Sequence, residues 1–263
     1  MSGVSGTKEW SSSSENFQVG CEHGCLYCYA RASMLRFGRI RDAADWETPV
    51  LNQKKLRRKA FGFREGVVMI PTTHDLTPRN IDVAIPYICK LLKAGNKLLI
   101  VSKPHFDCVI KMGVAFEEYK NQILFRFTIG STNDTVLKFF EPGAPSFQER
   151  FEALKWAHSH EFATSVSSEP YFDATIIDLV PMLAPYITDA HWLGLLRKPE
   201  LRIDTRKWGP KEWAMLESVK SVQDSESVHM LYNTFKDNDK VKWKDSIKKV
   251  IGLPAPEEAG LDI

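Results

Sequence analysis

The sequence predicts an α/β protein in which strands and helices alternate, either as a barrel or as a doubly wound sheet. Six short apolar runs are separated by segments with the period of an amphipathic helix. After the first, the runs begin about 25 to 40 residues apart, which is the spacing of strand–helix units. Because the runs are almost continuously apolar, we expect parallel strands that are buried on both faces. The predicted strands are 17–19, 67–70, 98–101, 123–129, 162–166 and 187–193.

The predicted helices lie between these strands. Thr77 and Pro78 can begin one of them, and apolar residues then recur at spacings of three and four between positions 81 and 91. Ser146 and Glu149 have the spacing of a capping box, which predicts a helix behind Ser146. Further helices are expected over 28–37, 174–183, 211–220 and 227–251.

The predicted organisation has three parts. Residues 1–15 are rich in serine and glycine and offer little to a core, so we expect a flexible N-terminal arm. Residues 16–208 contain the strand–helix units. After Trp208 the strand pattern stops, and residues 209–263 are expected to form a C-terminal helical extension with Lys-rich faces.

The composition excludes several classes of protein. With 43% hydrophobic and 26% charged residues, the chain is neither collagen-like nor wholly disordered. It has no apolar run long enough for a transmembrane helix and no pattern of a secretory signal, so we expect a cytoplasmic protein. The formal net charge is +2, from 35 basic and 33 acidic residues, so a global basic field for nucleic acid is absent.

Three of the five cysteines lie close together, in a C-x3-C-x2-C arrangement. Cys21, Cys25 and Cys28 follow the first predicted strand and run into a predicted helix. An odd, clustered set of cysteines does not form a disulfide framework and indicates a metal site. Three thiolates on one tight loop can bind three irons of a cubane iron–sulfur cluster and leave the fourth iron open for chemistry.

The alternative is a zinc site that uses the same cysteines with His23 or a distant ligand. The sequence context favours the cluster, because zinc knuckles more often lie between short hairpins than between a strand and a helix. Cys89 and Cys108 lie alone in predicted helices and are expected to be small buried residues. A zinc-stabilised binding module without catalysis remains the alternative from another functional class.

The cysteine spacing, the aromatic Tyr27 before the last cysteine and the position after the first strand resemble the radical S-adenosylmethionine superfamily. The resemblance covers roughly residues 16–195 and implies a partial (βα)6 TIM-type barrel. It implies a 4Fe-4S cluster on the three cysteines and S-adenosyl-L-methionine chelated by the open iron. One electron would cleave this cofactor to a 5′-deoxyadenosyl radical, which takes a hydrogen atom from the substrate. A flavodoxin- or ferredoxin-type electron donor is a further expectation.

Within the superfamily, the sequence is similar to the spore-photoproduct-lyase-like branch of DNA repair enzymes. The similar segments are 20–31, 72–75, 102–103 and 141–150. The resemblance implies that Tyr27 meets the adenine, that Thr73 and Thr128 contact the cofactor and that Lys103 pairs with its methionine carboxylate. The residues at later loops that could meet the ribose are Ser131, Asn133 and Glu169. For each of these polar residues the alternative is a role in a turn or a helix cap.

The loop after the second main strand departs from the lyase pattern. The lyase has a cysteine there that returns a hydrogen atom to the product, whereas this chain has Thr72, whose hydroxyl is a poor hydrogen-atom donor. We therefore do not expect a spore photoproduct lyase. The other side chains that could serve as donor are Cys108, Tyr29 and Tyr171. His74 and Asp75 are the predicted catalytic residues, for substrate contacts or proton transfer, although the pair could equally form an Asx-type turn.

Two Lys/Arg-rich stretches, 54–64 and 236–249, bear on the substrate. Basic residues next to an aromatic such as Trp243 can follow a phosphate backbone and stack a base. The alternative is a solvated helix face. The sequence therefore leaves two kinds of substrate open, a nucleic-acid base and a peptide or small metabolite.

Overall fold

The computed structural model describes residues 4–260 and contains nine strands and twelve α-helices in that range. The strands are β1 (Ser13–Ser14), β2 (Gln18–Val19), β3 (Val50–Leu51), β4 (Val67–Ile70), β5 (Lys97–Ser102), β6 (Ile123–Thr128), β7 (Ala163–Ser168), β8 (His191–Leu193) and β9 (Val241–Trp243). The helices are α1 (Tyr29–Arg36), α2 (Ala43–Glu47), α3 (Gln53–Leu56), α4 (Ile81–Lys93), α5 (Phe106–Ala115), α6 (Asp134–Phe140), α7 (Phe147–Ser159), α8 (Ile176–Leu183), α9 (Pro199–Arg202), α10 (Pro210–Ser221), α11 (Ser225–Phe235) and α12 (Asp245–Ile251).

Seven of the strands form one parallel sheet in the order β1-β4-β5-β6-β7-β8-β9. Every neighbouring pair in this sheet is parallel, as in β4 with β5, where Val68 lies opposite Leu98. Helices cover the sheet, so the predicted α/β fold of the partial TIM-type barrel class is confirmed. The two remaining strands, β2 and β3, form a separate antiparallel pair. Within residues 4–260 no helix is long and apolar enough to cross a membrane.

Helix α4 illustrates how the sequence pattern becomes packing. Ile81, Ala84, Ile88 and Leu91 recur at helical spacing and are all fully buried in the main core. Each large aliphatic side chain buried in this way stabilises the fold by roughly 1.5 to 3 kcal/mol. The predicted capping box of α7 is present in part, since the Ser146 hydroxyl accepts a hydrogen bond from the Glu149 backbone N–H at 3.2 Å.

The strand predicted over 17–19 is present in part as β2 (Gln18–Val19), but it pairs with β3, and the first strand of the main sheet is instead β1, at Ser13–Ser14. The residues on either side of β1 donate backbone hydrogen bonds to β4, from Ser12 N to Val67 O at 3.1 Å and from Glu15 N to Met69 O at 3.0 Å. A two-residue edge strand of serines has no apolar alternation for a sequence pattern to detect. Phe17 is nevertheless fully buried in the core.

The described parts of both ends of the chain belong to the fold. The described part of the predicted arm, residues 4–15, contacts the C-terminal segment through hydrogen bonds from Val4 N to Pro256 O at 3.0 Å and from Gly260 N to Lys8 O at 2.8 Å. The helix predicted over 227–251 is instead α11, strand β9 and α12. Strand β9 pairs with β8, so the predicted extension also completes the sheet. Residues 1–3 of the predicted arm and 261–263 of the predicted extension lie outside the described residues.

Candidate active site

The three clustered cysteines lie on a tight loop between β2 and α1. Gly20 has φ +92° and a Cβ there would lie 2.6 Å from the Trp46 carbonyl oxygen, so the loop requires glycine at this position. The Cys21 N–H donates to the same Trp46 carbonyl at 2.9 Å. Cys28 is the N-cap of α1, and its sulfur accepts from Arg31 N at 3.4 Å. All three thiols are free.

The end of α6 and the segment that follows it contact the cysteine loop through backbone hydrogen bonds. The Leu26 N–H donates to the Phe140 carbonyl at 2.8 Å, and the Gly143 N–H donates to the His23 carbonyl at 2.9 Å. Gly143 permits this approach, because a Cβ there would lie 2.5 Å from the Glu22 carbonyl oxygen. The predicted relevance of the 141–150 segment thus has a structural basis in backbone contacts to the cysteine loop.

His23 anchors the cysteine loop from inside. It is buried, with Nδ1 3.3 Å from Asp75 Oδ2 and Nε2 3.1 Å from Nε2 of His105. Asp75 also accepts hydrogen bonds from the Ser102 hydroxyl and from Lys103 N at 2.9 Å. Burial opposes ionisation of Asp75, but His23, Lys103 and Ser102 prevail and hold the pKa of its carboxyl below the usual range. Asp75 therefore fastens the loops after β4 and β5 to the cysteine loop.

A cavity of about 770 Å³ opens at the carboxyl ends of the parallel strands, where barrel enzymes carry their sites. Cys21, Cys25 and Cys28 all line it. So do most of the residues predicted to meet the cofactor, namely Tyr27, Thr73, Lys103, Thr128 and Glu169. Residues from five separate loops and strand ends are thus brought to one space.

Ser131 is not among the residues of this cavity. It is fully buried, and its hydroxyl donates to Asp173 at 2.6 Å. Asn133 caps helix α6 by accepting from Thr135 N at 3.0 Å. These two side chains have the turn and cap roles that the sequence left as their alternative. Tyr29 lines the cavity, whereas Cys108 and Tyr171 are buried elsewhere.

His74 faces the cavity without a partner. Its side chain is 8% exposed, and neither ring nitrogen has a hydrogen-bond partner within the described chain. Its ring packs edge-on against Phe17 at a centroid distance of 4.6 Å. Burial lowers the pKa of His74 to about 4, so the imidazole is neutral near pH 7. A neutral imidazole offers one hydrogen-bond donor and one acceptor to a ligand.

Lys103 belongs to a buried charge network that sequence reasoning did not identify. Its Nζ lies 3.8 Å from Glu141 Oε1 and 5.7 Å from the centre of the Tyr27 ring. The Tyr27 hydroxyl donates to the same Glu141 oxygen, and Arg150 Nη2 lies 2.6 Å from the other. Burial opposes the charge on Lys103, but Cys25, Tyr27 and Glu141 raise its pKa well above the usual value. Glu141 and Arg150 lie in the segment 141–150, whose similarity to the lyase branch was the only indication in the sequence that they belong to the site.

The residues present fit a 4Fe-4S cluster. Three free thiols on one glycine-containing loop face a cavity that also contains Lys103. A cubane cluster binds each cysteine through a different iron. In residues 4–260 no three His, Cys, Asp or Glu side chains are arranged to hold a single metal ion. Burial raises the pKa of Cys21 to about 12 and that of Cys25 higher still, so these thiols need a metal to be thiolates.

The N-terminal segment forms one wall of the cavity. The residues that line it there are Val4, Ser5, Gly6, Thr7, Lys8 and Trp10. Lys244, fully buried at the end of β9, holds this segment by donating to the Gly6 carbonyl at 2.9 Å and pairing with Glu9 at 2.8 Å. The segment predicted as an arm is therefore part of the site.

Some cations of the two basic stretches are paired or buried within the protein, and others are exposed. Glu15, which is 5% exposed, accepts Lys55 at 3.3 Å, Arg58 at 3.8 Å and Arg64 at 2.5 Å. In the second stretch, Lys244 is buried and Trp243 belongs to the main core. Lys54, Arg57 and Lys59 of the first stretch and Lys236 and Lys240 of the second are exposed.

Fold and site together define an α/β protein of the partial TIM-type barrel class with three free thiols at the mouth of the barrel. The model of the radical SAM superfamily matches residues 16–171, and the chain belongs to this superfamily. It is 28% identical over 167 residues to "Uncharacterized protein ORF301" of Acidianus two-tailed virus, across 60% of this chain and 55% of the relative.

A solved structure with the same fold is that of SuiB from Streptococcus suis bound to S-adenosylmethionine. The TM-score is 0.51 at 10% identity, and the match covers 92% of this chain and 52% of SuiB. The chain therefore spans about half the length of the proteins it matches. The similarity to SuiB supports the barrel fold.

Proposed function

We propose that this protein binds a 4Fe-4S cluster through Cys21, Cys25 and Cys28 and uses S-adenosylmethionine to abstract hydrogen from a substrate. When bound, these groups supply one-electron cleavage of a sulfonium and a carbon radical that removes a hydrogen atom. The observation that carries the proposal is that the three free thiols, Lys103 and an unpartnered His74 line one cavity.

Lys103 is proposed to bind the carboxylate of the cofactor. Its ammonium is largely buried beside Glu141, so it is positioned before a ligand enters. Tyr27, Thr73, Thr128 and Glu169 line the same space and are the proposed contacts to the rest of the cofactor. His74 is the proposed polar contact to the substrate, whereas the bonds of Asp75 favour a positioning role over a catalytic one.

The two substrate hypotheses, a nucleic-acid base and a peptide or small metabolite, require different charges on the protein surface. A nucleic-acid substrate needs free cations along its backbone. Three cations of the first basic stretch share Glu15, and the central lysine of the second is buried. This pairing favours a peptide or small metabolite over a nucleic-acid base. The flavodoxin- or ferredoxin-type donor remains a proposal.

The experiment is anaerobic reconstitution followed by iron analysis and assay of 5′-deoxyadenosine after reduction. We expect about four irons per chain, a brown protein and slow cofactor cleavage. Cys25→Ala should abolish both iron binding and cleavage. The matched control is Cys89→Ala, because Cys89 lies on α4 and does not line the cavity. A colourless protein with one zinc per chain would establish the alternative, a zinc-binding module.

A further inference from the structure

Arg202 is a cation at the mouth of the cavity, and no carboxylate of the described residues lies within ion-pair distance of it. It is the last residue of the short helix α9, and it lines the cavity together with Tyr29 and Cys28. Its guanidinium carbon lies 6.0 Å from the centre of the Tyr29 ring. That contact is long and weak, and among residues 4–260 none accepts a hydrogen bond from the five N–H donors of the guanidinium.

The backbone fixes Arg202 in this place. Lys198 adopts the left-handed conformation with φ 49° directly before Pro199, which begins α9. Ile203, next to Arg202, is 6% exposed and belongs to a core cluster with Phe172 and Leu216. Helix α9 packs against α1, the helix that follows the cysteine loop. The backbone that carries Arg202 is therefore held in place by the core and by α1.

Arg197 is a second cation of this cavity, and unlike Arg202 it has a carboxylate partner. Arg197 also lines the cavity, but its Nη1 lies 2.7 Å from Asp245, which is 1% exposed. Glu169, the acidic residue on the same wall, has its closest cation in Lys244 at 3.8 Å. Burial and the charge of Arg197 lower the pKa of Arg202, and the opposing effect of Glu169 is smaller.

We propose that Arg202 binds an anionic group of the substrate, a carboxylate or a phosphate, at the mouth of the cavity. The planar guanidinium can hold either group through two parallel hydrogen bonds. Lys8, from the N-terminal wall of the same cavity, adds a second positive charge. The inference rests on the proposed function, because it places this group in the space that also holds the cofactor, and it defines the substrate as an anion.

The test uses the full chain, reconstituted and oxidised, with saturating S-adenosylmethionine, titrated with inorganic phosphate or succinate at constant ionic strength in a calorimeter. We expect saturable binding of at least one probe at one site. Arg202→Gln should weaken it at least about tenfold, because hydrogen bonds to a charged group are lost. Arg202→Lys should retain part of the affinity. A preference for phosphate would indicate a phosphorylated substrate, and a preference for succinate a carboxylic acid.

The control is Arg206→Gln, in the segment between α9 and α10. Arg206 is exposed, pairs with Asp204 at 2.6 Å and does not line the cavity, so anion binding should not change. Absence of saturable anion binding by the wild-type protein would overturn the inference even if no Arg202 variant folds. The inference would also be overturned if Arg202→Gln weakened the binding of S-adenosylmethionine and left the binding of the anion unchanged. Iron content and cofactor binding are measured on the same samples, so failure of the proposed function is recognised separately.

Discussion

Replacing Arg150 with methionine tests the buried network that supports the cofactor side of the cavity. Arg150 is fully buried on α7, and its Nη2 lies 2.6 Å from Glu141. The same guanidinium donates to the carbonyls of Pro145 at 2.9 Å and Thr128 at 3.1 Å. Arg150→Met removes all three interactions while it keeps most of the apolar volume of the side chain.

The expected loss of stability follows from the charge that remains. Breaking one partner of a buried ion pair costs about 3 to 5 kcal/mol, because the other charge stays buried without compensation. Here Lys103 lies 3.8 Å from the other oxygen of Glu141 and compensates in part, so we expect the lower end, about 3 kcal/mol. Arg150→Met combined with Glu141→Gln should recover part of this loss, since no carboxylate is then left unpaired.

The assay is urea unfolding of the single and double variants. The control is Lys155→Met on the same helix, which breaks the partly exposed pair with Glu152 at 2.8 Å and should have little effect. A loss below about 1 kcal/mol for Arg150→Met would refute the argument, because the pair would then not behave as buried. A double variant no more stable than the single one would show that the loss does not come from the uncompensated charge of Glu141.

The fold could be predicted where burial leaves a pattern. The apolar runs of β4 to β8 and the stripe on α4 are long enough to show their period, and both lie in the core. Strand β1 is two serines held by backbone hydrogen bonds, and β9 is three residues between two helices. Neither leaves a side-chain period, because their place in the sheet depends on neighbours far away in the sequence.

The candidate site likewise has parts that could be predicted from the sequence and parts that could not. The cysteine loop could be predicted because its three cysteines and its glycines are close in sequence. The contacts of His23 with Asp75 and His105 join three different loops, and Glu141 reaches Lys103 from a fourth. Which polar residues line the cavity depends on such distant contacts. This is why Ser131 and Lys103, both predicted from the sequence to meet the cofactor, have different places in the structure.

Two further predictions concern side chains of the cavity. Lys103→Ala should weaken S-adenosylmethionine binding by about 1.5 to 3 kcal/mol, measured by equilibrium dialysis, and unchanged affinity would remove Lys103 from the cofactor site. His74 gives a dependence of stability on pH, because burial lowers its pKa from 6.5 to about 4 in the folded protein. Since the folded state resists protonation, the contribution of His74 is present above pH 6.5 and is lost as the pH falls towards 4. The loss amounts to roughly 3 kcal/mol at 1.36 kcal/mol per pKa unit. His74→Gln should therefore lose less stability than the wild type between pH 7 and pH 4 in urea unfolding, whereas exposed His229→Gln should follow the wild type. If His74→Gln and the wild type lose the same stability over this range, the imidazole is solvated and does not face the cavity as a buried neutral group.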